Sequence, residues 1–387
     1  MRLLLYSFVF LISYGSLYPF SFESTSLNEA LQSPLFNFRL GNSGRGDMIA
    51  NILLFVPFGF LALHSYPSNK ALLRTIQILL VAFILAYLLQ VLQLFVPRRT
   101  PSGSDAIWNL LGCLMGCALA RLPLQKYQRI LSGPDDLPQI ALLLGLLLLL
   151  YNWAPFVPSL DLQLLKNNLK SILLFDIQPW WLLHKVLIWL VIFHFLSEGR
   201  GPLARQRYFP LIVLVTLFGS LFIVGHPTST EHVVGAVVSI PLWHLIRQRE
   251  RPLALALALG LVILATTFVP FELRDQARSF QWVPFGGALG GNLLLNVMSI
   301  FNKIIVYGSL IWLLFEAGFR LRTATVLIAV ILLISELLQV FFFGPTAEIT
   351  DPLLALAIGL AFHCYGQYRQ AHIQQGGQAG GLPPVVS

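Results

Sequence analysis

Long apolar runs constrain this chain more than any other feature. Stretches such as LLLYSFVFLISYGSL (3–17), ALLRTIQILLVAFILAYLLQVLQ (71–93) and ATVLIAVILLISELLQV (324–340) recur along its length. About 20 mostly apolar residues cross the hydrocarbon core of a bilayer. Backbone amides and carbonyls in lipid must find partners within the structure itself. The runs are continuous and do not alternate polar with apolar, so they read as helices and not as barrel strands. Of 387 residues, 11% are charged and 56% hydrophobic, against about 25% charged in a soluble domain. That leaves too few charges to coat a water-soluble fold. The net charge of +8 is then an excess of loop arginines. No basic-aromatic patch accompanies it, and no nucleic-acid partner is expected.

Twelve spans are predicted, near 3–19, 48–66, 71–95, 105–121, 138–154, 180–197, 209–225, 231–247, 252–269, 297–316, 322–343 and 351–367. The fold class is all-α, a polytopic transmembrane bundle. The first span lacks a small-residue cleavage site and reads as a retained helix, not a signal peptide. With the N-terminus inside, fifteen lysines and arginines fall on the cytoplasmic side and nine on the outer side. Both termini are therefore expected in the cytoplasm of a bacterial inner membrane. Cys113, Cys117 and Cys364 all lie in apolar runs and read as small packing residues.

The spans group as three sets of four. Each first helix ends in an aromatic-proline signature: LYPF (17–20), NWAPF (152–156) and TFVPF (267–271). Each set then enters a long outer loop, and long loops carry function disproportionately. Asn51, Lys185 and Lys303 occupy equivalent places in the second helices. Gln90 and Gln93 precede Asp105 in the first set as Glu336 and Gln339 precede Asp351 in the third, twelve residues separating Gln93 from Asp105 and Gln339 from Asp351. Thr100 and Thr346 fall in the same register. The middle set keeps only a Thr-Glu helix start in GHPTSTEHVVG (225–235). The expected organisation is 1–130, 131–250 (degenerate) and 251–370, with 371–387 a disordered tail.

The polar residues concentrate at one membrane boundary. Asp47 and Asn51 share a helix face, as do Gln90 with Gln93 and Asp105 with Asn109. Gly112 and Gly116 continue the last stripe and permit close helix approach. At about 1.5 Å per residue, Asn51 and Asn109 each sit roughly 6 Å below a helix start. Gln90 and Gln93 lie at a similar depth below Pro97. Arg45, Arg98 and Arg99 flank them. Each residue also has a plainer reading: Asp47 and Asp105 start helices well, and amides between membrane helices often only bond one another. In the third set, Glu336 is deep enough to require a partner, and Lys303 is the expected one. His226, Glu231 and His232 straddle a loop and read poorly as a metal site. No Gly-rich phosphate loop, zinc-protease helix or nucleophile elbow is present.

These residues carry a family resemblance. GDMIANILLFVPFGFL (46–61), followed by LLQVLQLFVPRRTPSGSDAIWNLLGCLMG (88–116), resembles VanZ-like proteins. The matching positions are Asp47, Asn51, Pro57, Gly59, Gln90, Gln93, Arg98 or Arg99, Asp105, Asn109 and Gly112. Gln90 departs from the family's more usual glutamate. Glu336 supplies that glutamate in the third set, which lacks the loop arginine and has Ala355 for the asparagine. The resemblance is specific over 1–121, weaker over 267–367 and faint between. It implies a four-helix membrane fold and a cell-envelope setting, with a link to teicoplanin-type glycopeptide resistance.

The expected function is an envelope protein, not demonstrably an enzyme. Its outer-leaflet polar pocket would bind a membrane lipid or a lipid-linked or anionic cell-wall or polysaccharide group. Arg98 and Arg99 suit phosphate or carboxylate, and the amides suit neutral polar groups. The ligand set is Arg45, Asp47, Asn51, Gln90, Gln93, Arg98, Arg99, Asp105, Asn109, Lys303, Glu336, Gln339 and Asp351. No catalytic residue, metal or cofactor is assigned. The alternatives are an intramembrane transferase or hydrolase with Glu336 or Asp105 as acid/base, and a transporter built from parallel repeats.

Overall fold

A computed structural model describes residues 2–18, 20–23, 35, 44–66, 70–96, 101–122, 138–159, 161–173, 177–199, 204–224, 228–246, 250–289 and 293–379. The helices are α1 (Arg2–Leu17), α2 (Arg45–Ser65), α3 (Ala71–Gln93), α4 (Gly103–Arg121), α5 (Pro138–Tyr151), α6 (Leu162–Leu173), α7 (Pro179–Ser197), α8 (Phe209–Ser220), α9 (Thr230–Leu245), α10 (Arg251–Thr267), α11 (Leu293–Glu316), α12 (Leu321–Gln339) and α13 (Thr350–Ala379). β-structure among the described residues is limited to isolated bridges, such as Pro158 with Ile223 and Leu273 with Phe342.

A helix stands at each of the twelve expected spans. Among the described residues, six are long and apolar enough to cross a bilayer: Gly46–Ser65, α3, α4, α7, Leu295–Glu316 and α12. The chain is thus a multi-pass membrane protein. Its packing follows lipid and not water. α3 turns Thr75, Ile78, Ala82, Ala86, Leu89 and Gln90 inward, while Leu72, Leu80 and Leu88 are more than half exposed. Lipid tails solvate leucine as well as a protein core does, so small residues take the interior, where close contact is worth most.

Two features depart from expectation. α6 is an additional short helix between α5 and α7. α13 continues to Ala379, into the segment read as a disordered tail.

The chain divides into two compact units. One comprises 1–43, 51–121 and 357–387, and the other 44–50 and 122–356. In the first, α2 and α4 touch backbone to backbone. A Cβ at Gly112 would collide with the Ile52 carbonyl, one at Gly116 with the Val56 carbonyl, and one at Gly59 with the Cys113 carbonyl. Cys113 and Cys117 are fully buried at this seam, and the Cys117 thiol lies 3.6 Å from the Gly59 oxygen. In the second unit α7 is the hub, buried on all sides from Leu190 through Leu196. It packs against α5, α9 and α10. A helix apolar all round belongs at such a centre.

The aromatic-proline signatures make one local structure three times. Phe20, Phe156 and Phe271 all take left-handed backbone, at φ 62, 61 and 66°. Their amides donate to Leu17 (2.9 Å), Trp153 (2.6 Å) and Phe268 (2.5 Å). Bulky residues rarely adopt positive φ. Three residues on, the amides of Glu23, Ser159 and Arg274 donate to the carbonyls of Phe95, Phe222 and Phe341 at 2.8, 2.8 and 2.9 Å.

Candidate functional site

The first unit's polar residues sit where α3 and α4 meet the short connection between them. Gln90, buried on α3, accepts the Ser102 amide through Oε1 at 3.0 Å. The Ser102 and Ser104 hydroxyls share a hydrogen bond at 2.8 Å, and Ser104 is fully buried. Gln93 turns another way: its Nε2 donates to the Ser16 carbonyl of α1 at 2.9 Å. The two glutamines expected to face one ligand therefore divide their work. One ties down the entry to α4 and the other ties α3 to α1.

Asn51 and Asn109 behave differently. They are 6% and 5% exposed, in the helices whose backbones meet at Ile52 and Gly112. The Nδ2 of Asn51 and the Oδ1 of Asn109 have no hydrogen-bond partner. Asp105 lies in the first turn of α4 and is partly buried. Asp47 is exposed in the first turn of α2, a place that favours a carboxylate by the helix dipole. Arg45 opens α2; its side chain lies outside the described residues, as do Arg98 and Arg99.

The third set repeats the anchor with a charged residue. Glu336, 4% exposed, accepts the Glu348 amide through Oε2 at 2.9 Å. Ser102 follows Gln90, and Glu348 follows Glu336, by the same twelve residues. The expected Glu336–Lys303 pair is not the one formed. Lys303 Nζ donates to Asp351 Oδ1 at 2.6 Å, and the Tyr307 hydroxyl to Oδ2 at 2.5 Å. The carboxylate at the start of α13 takes the ammonium. Gln339 is 4% exposed with Oε1 unpartnered.

Several residues here escape sequence reasoning. Glu348 accepts the Gly287 amide at 3.1 Å, and Thr350 accepts the Phe285 amide at 2.7 Å. Arg274 Nε donates to the Phe342 carbonyl at 2.9 Å, and Arg278 donates to Gly344 and Pro345 carbonyls. Guanidinium groups from the segment between α10 and α11 thus bind the carbonyls that follow α12. Burial, then neighbouring Arg274, pull the Arg278 guanidinium below its ordinary pKa, and Glu336 opposes them.

In the middle set, His232 bonds Asn152 Oδ1 at 2.6 Å through Nε2. Glu231 accepts the Gln178 amide at 3.2 Å, and His226 lies outside the described residues. His194 contacts Glu316 at 2.7 Å; Trp312 donates to the other oxygen of that carboxylate at 2.7 Å.

The Gln90 anchor makes a direct prediction. Gln90→Leu leaves the Ser102 amide without its acceptor and should cost about 1–3 kcal/mol. Gln90→Glu, which copies the third set, should keep the bond. Hydrogen exchange of the peptide containing Ser102 reads this out: faster in the leucine variant and near wild type in the glutamate variant.

No curated protein and no solved structure matches this chain. The VanZ/LLP1 family model matches residues 3–124, about a third of the sequence. The stretch it covers is α1 to α4, the segment that carries Asn51, Gln90, Gln93, Asp105 and Asn109, and the chain is accordingly a multi-pass membrane protein with a VanZ-like domain at its N-terminal end.

Proposed function

We propose that the VanZ-like domain binds a lipid-linked or anionic cell-wall or polysaccharide group where α2 and α4 meet. One observation carries this reading: Asn51 and Asn109 leave a donor and an acceptor unpartnered although both side chains are more than nine-tenths buried. Each unsatisfied buried polar atom costs about 1–3 kcal/mol. A ligand presenting a hydroxyl or carboxamide would recover that cost. Arg98 and Arg99 follow α3 in sequence and suit the phosphate or carboxylate of such a ligand. Glu336 suits acid/base chemistry less, because its carboxylate is engaged by the Glu348 amide.

The loop-charge asymmetry supports an outward-facing site, a cytoplasmic-membrane setting and both termini inside. The family resemblance adds the envelope context and the link to glycopeptide resistance. The organisation behind this is a triplicated four-helix unit. The three Phe turns and the shared Gln90–Ser102 and Glu336–Glu348 bonds support common descent of the sets.

Native mass spectrometry of the purified chain tests the binding. Wild type should retain an anionic or lipid-linked species that Asn51→Leu/Asn109→Leu and Arg98→Ala/Arg99→Ala lose. Asp105→Asn separates binding charge from shape. Removing the unpartnered Asn51 donor and Asn109 acceptor should not lower the melting temperature. Unchanged retention in a folded asparagine variant would sink the proposal.

A further inference from the structure

α6 is built the wrong way round for a helix packed in water. Its polar residues hold it to the protein: Asn168, 5% exposed, donates to the Leu221 carbonyl at 2.8 Å. Ser171 donates to the Thr228 carbonyl at 2.8 Å, and Thr230 to the Ile172 carbonyl at 2.8 Å. Three of its leucines face outward. Leu162, Leu169 and Leu173 are 79%, 44% and 70% exposed.

The exposed side is graded around the helix. At about 100° per residue, Leu162, Leu169 and Leu173 fall within an arc of about 40°. Lys166 and Lys170, both exposed, occupy roughly the next 60°. Gln163 and Asn167 follow, exposed and bonded to each other at 3.0 Å. The one acid of 161–173, Asp161, is engaged with the Gln163 amide at 2.8 Å. Acyl-compatible, cationic and neutral polar strips thus succeed one another in the order in which hydrocarbon, phosphate and water succeed one another at a bilayer surface. Six residues after Leu173, α7 begins a membrane-length helix, with Trp180 and Trp181 42% and 46% exposed in its first turn. Such tryptophans mark the interfacial level.

We infer that α6 lies in the plane of the membrane surface at the N-terminal end of α7 and docks on anionic phospholipid headgroups. Lys166 and Lys170 meet the phosphates, and Leu162, Leu169 and Leu173 enter the acyl boundary. This surface shares no residue with the polar centre of the VanZ-like domain, so either proposal can fail without the other.

The test uses the full chain in vesicles of phosphatidylcholine, with and without phosphatidylglycerol. Leu169→Cys on a Cys364→Ser background carries an environment-sensitive fluorophore; Cys113 and Cys117 are buried. The label should be quenched by nitroxide-bearing acyl chains and shielded from aqueous iodide. A label at Asn167→Cys should respond to iodide. Iodide quenching at position 169, or no quenching there by either agent, would overturn docking. For the charge, Lys166→Gln/Lys170→Gln should lower the ratio of retained phosphatidylglycerol to phosphatidylcholine at least fivefold, since one lysine near an anionic surface is worth about that factor. An unchanged ratio at unchanged melting temperature overturns the headgroup assignment.

Discussion

Replacing Gly112 and Gly116 together with alanine will break the α2–α4 seam and unfold the N-terminal bundle at markedly lower temperature. Each new methyl would meet a carbonyl oxygen of α2, that of Ile52 or of Val56. The obstacle is rigid helical backbone, not a side chain that can swing away. Helix α4 must retreat, and the dispersion contacts that hold membrane helices together fall off steeply with distance. Overpacking costs roughly 2–3 kcal/mol at each position. The sign is diagnostic, because alanine in a helix is intrinsically about 1 kcal/mol better than glycine. Gly366→Ala, where nothing lies within 4 Å, should therefore be neutral or stabilising in the same thermal unfolding assay. If the double variant melts like wild type, the seam is not as close as described.

Asp351→Asn should be the most damaging single polar change in the third set. It removes the charge opposite Lys303 and weakens the bond from Tyr307. The carboxylate side chain is 9% exposed and the lysine 32%, so the pair is shielded from water though not sealed. Breaking a buried pair by removing one partner costs about 3–5 kcal/mol. The lower end applies here, given the partial access of Lys303. The cost comes mainly from the ammonium left behind, so Lys303→Met combined with Asp351→Asn should recover most of it. Unfolding of the single and double variants in detergent gives the coupling directly. A double variant no better than Asp351→Asn alone would show that the pair is not the source of the loss.

How far the sequence could be read depended on the range of the interaction. Apolar runs located a helix at every expected span, because lipid leaves a backbone of that length no other way to satisfy itself. The spacing from Gln90 and Gln93 to Asp105, repeated at Glu336, Gln339 and Asp351, pointed to the α3–α4 and α12–α13 joints. It did not reveal that Gln90 and Glu336 would spend their acceptors on a backbone amide. The glycine stripe announced close contact but not that Gly59 completes it from the other helix. α6 was missed because twelve residues of mixed character are too short for a span, and its leucines and lysines look like ordinary loop composition until their faces are known.

The sequence alone determined that this is a helical, multi-pass membrane protein with a VanZ-like start, since hydrophobic length and local spacing are properties of the chain itself. Only the tertiary structure decided which charges pair, Lys303 with Asp351 and not with Glu336, and which buried amides keep an atom without a partner. Those outcomes turn on distances of an ångström or two between helices far apart in sequence, and no local pattern encodes them.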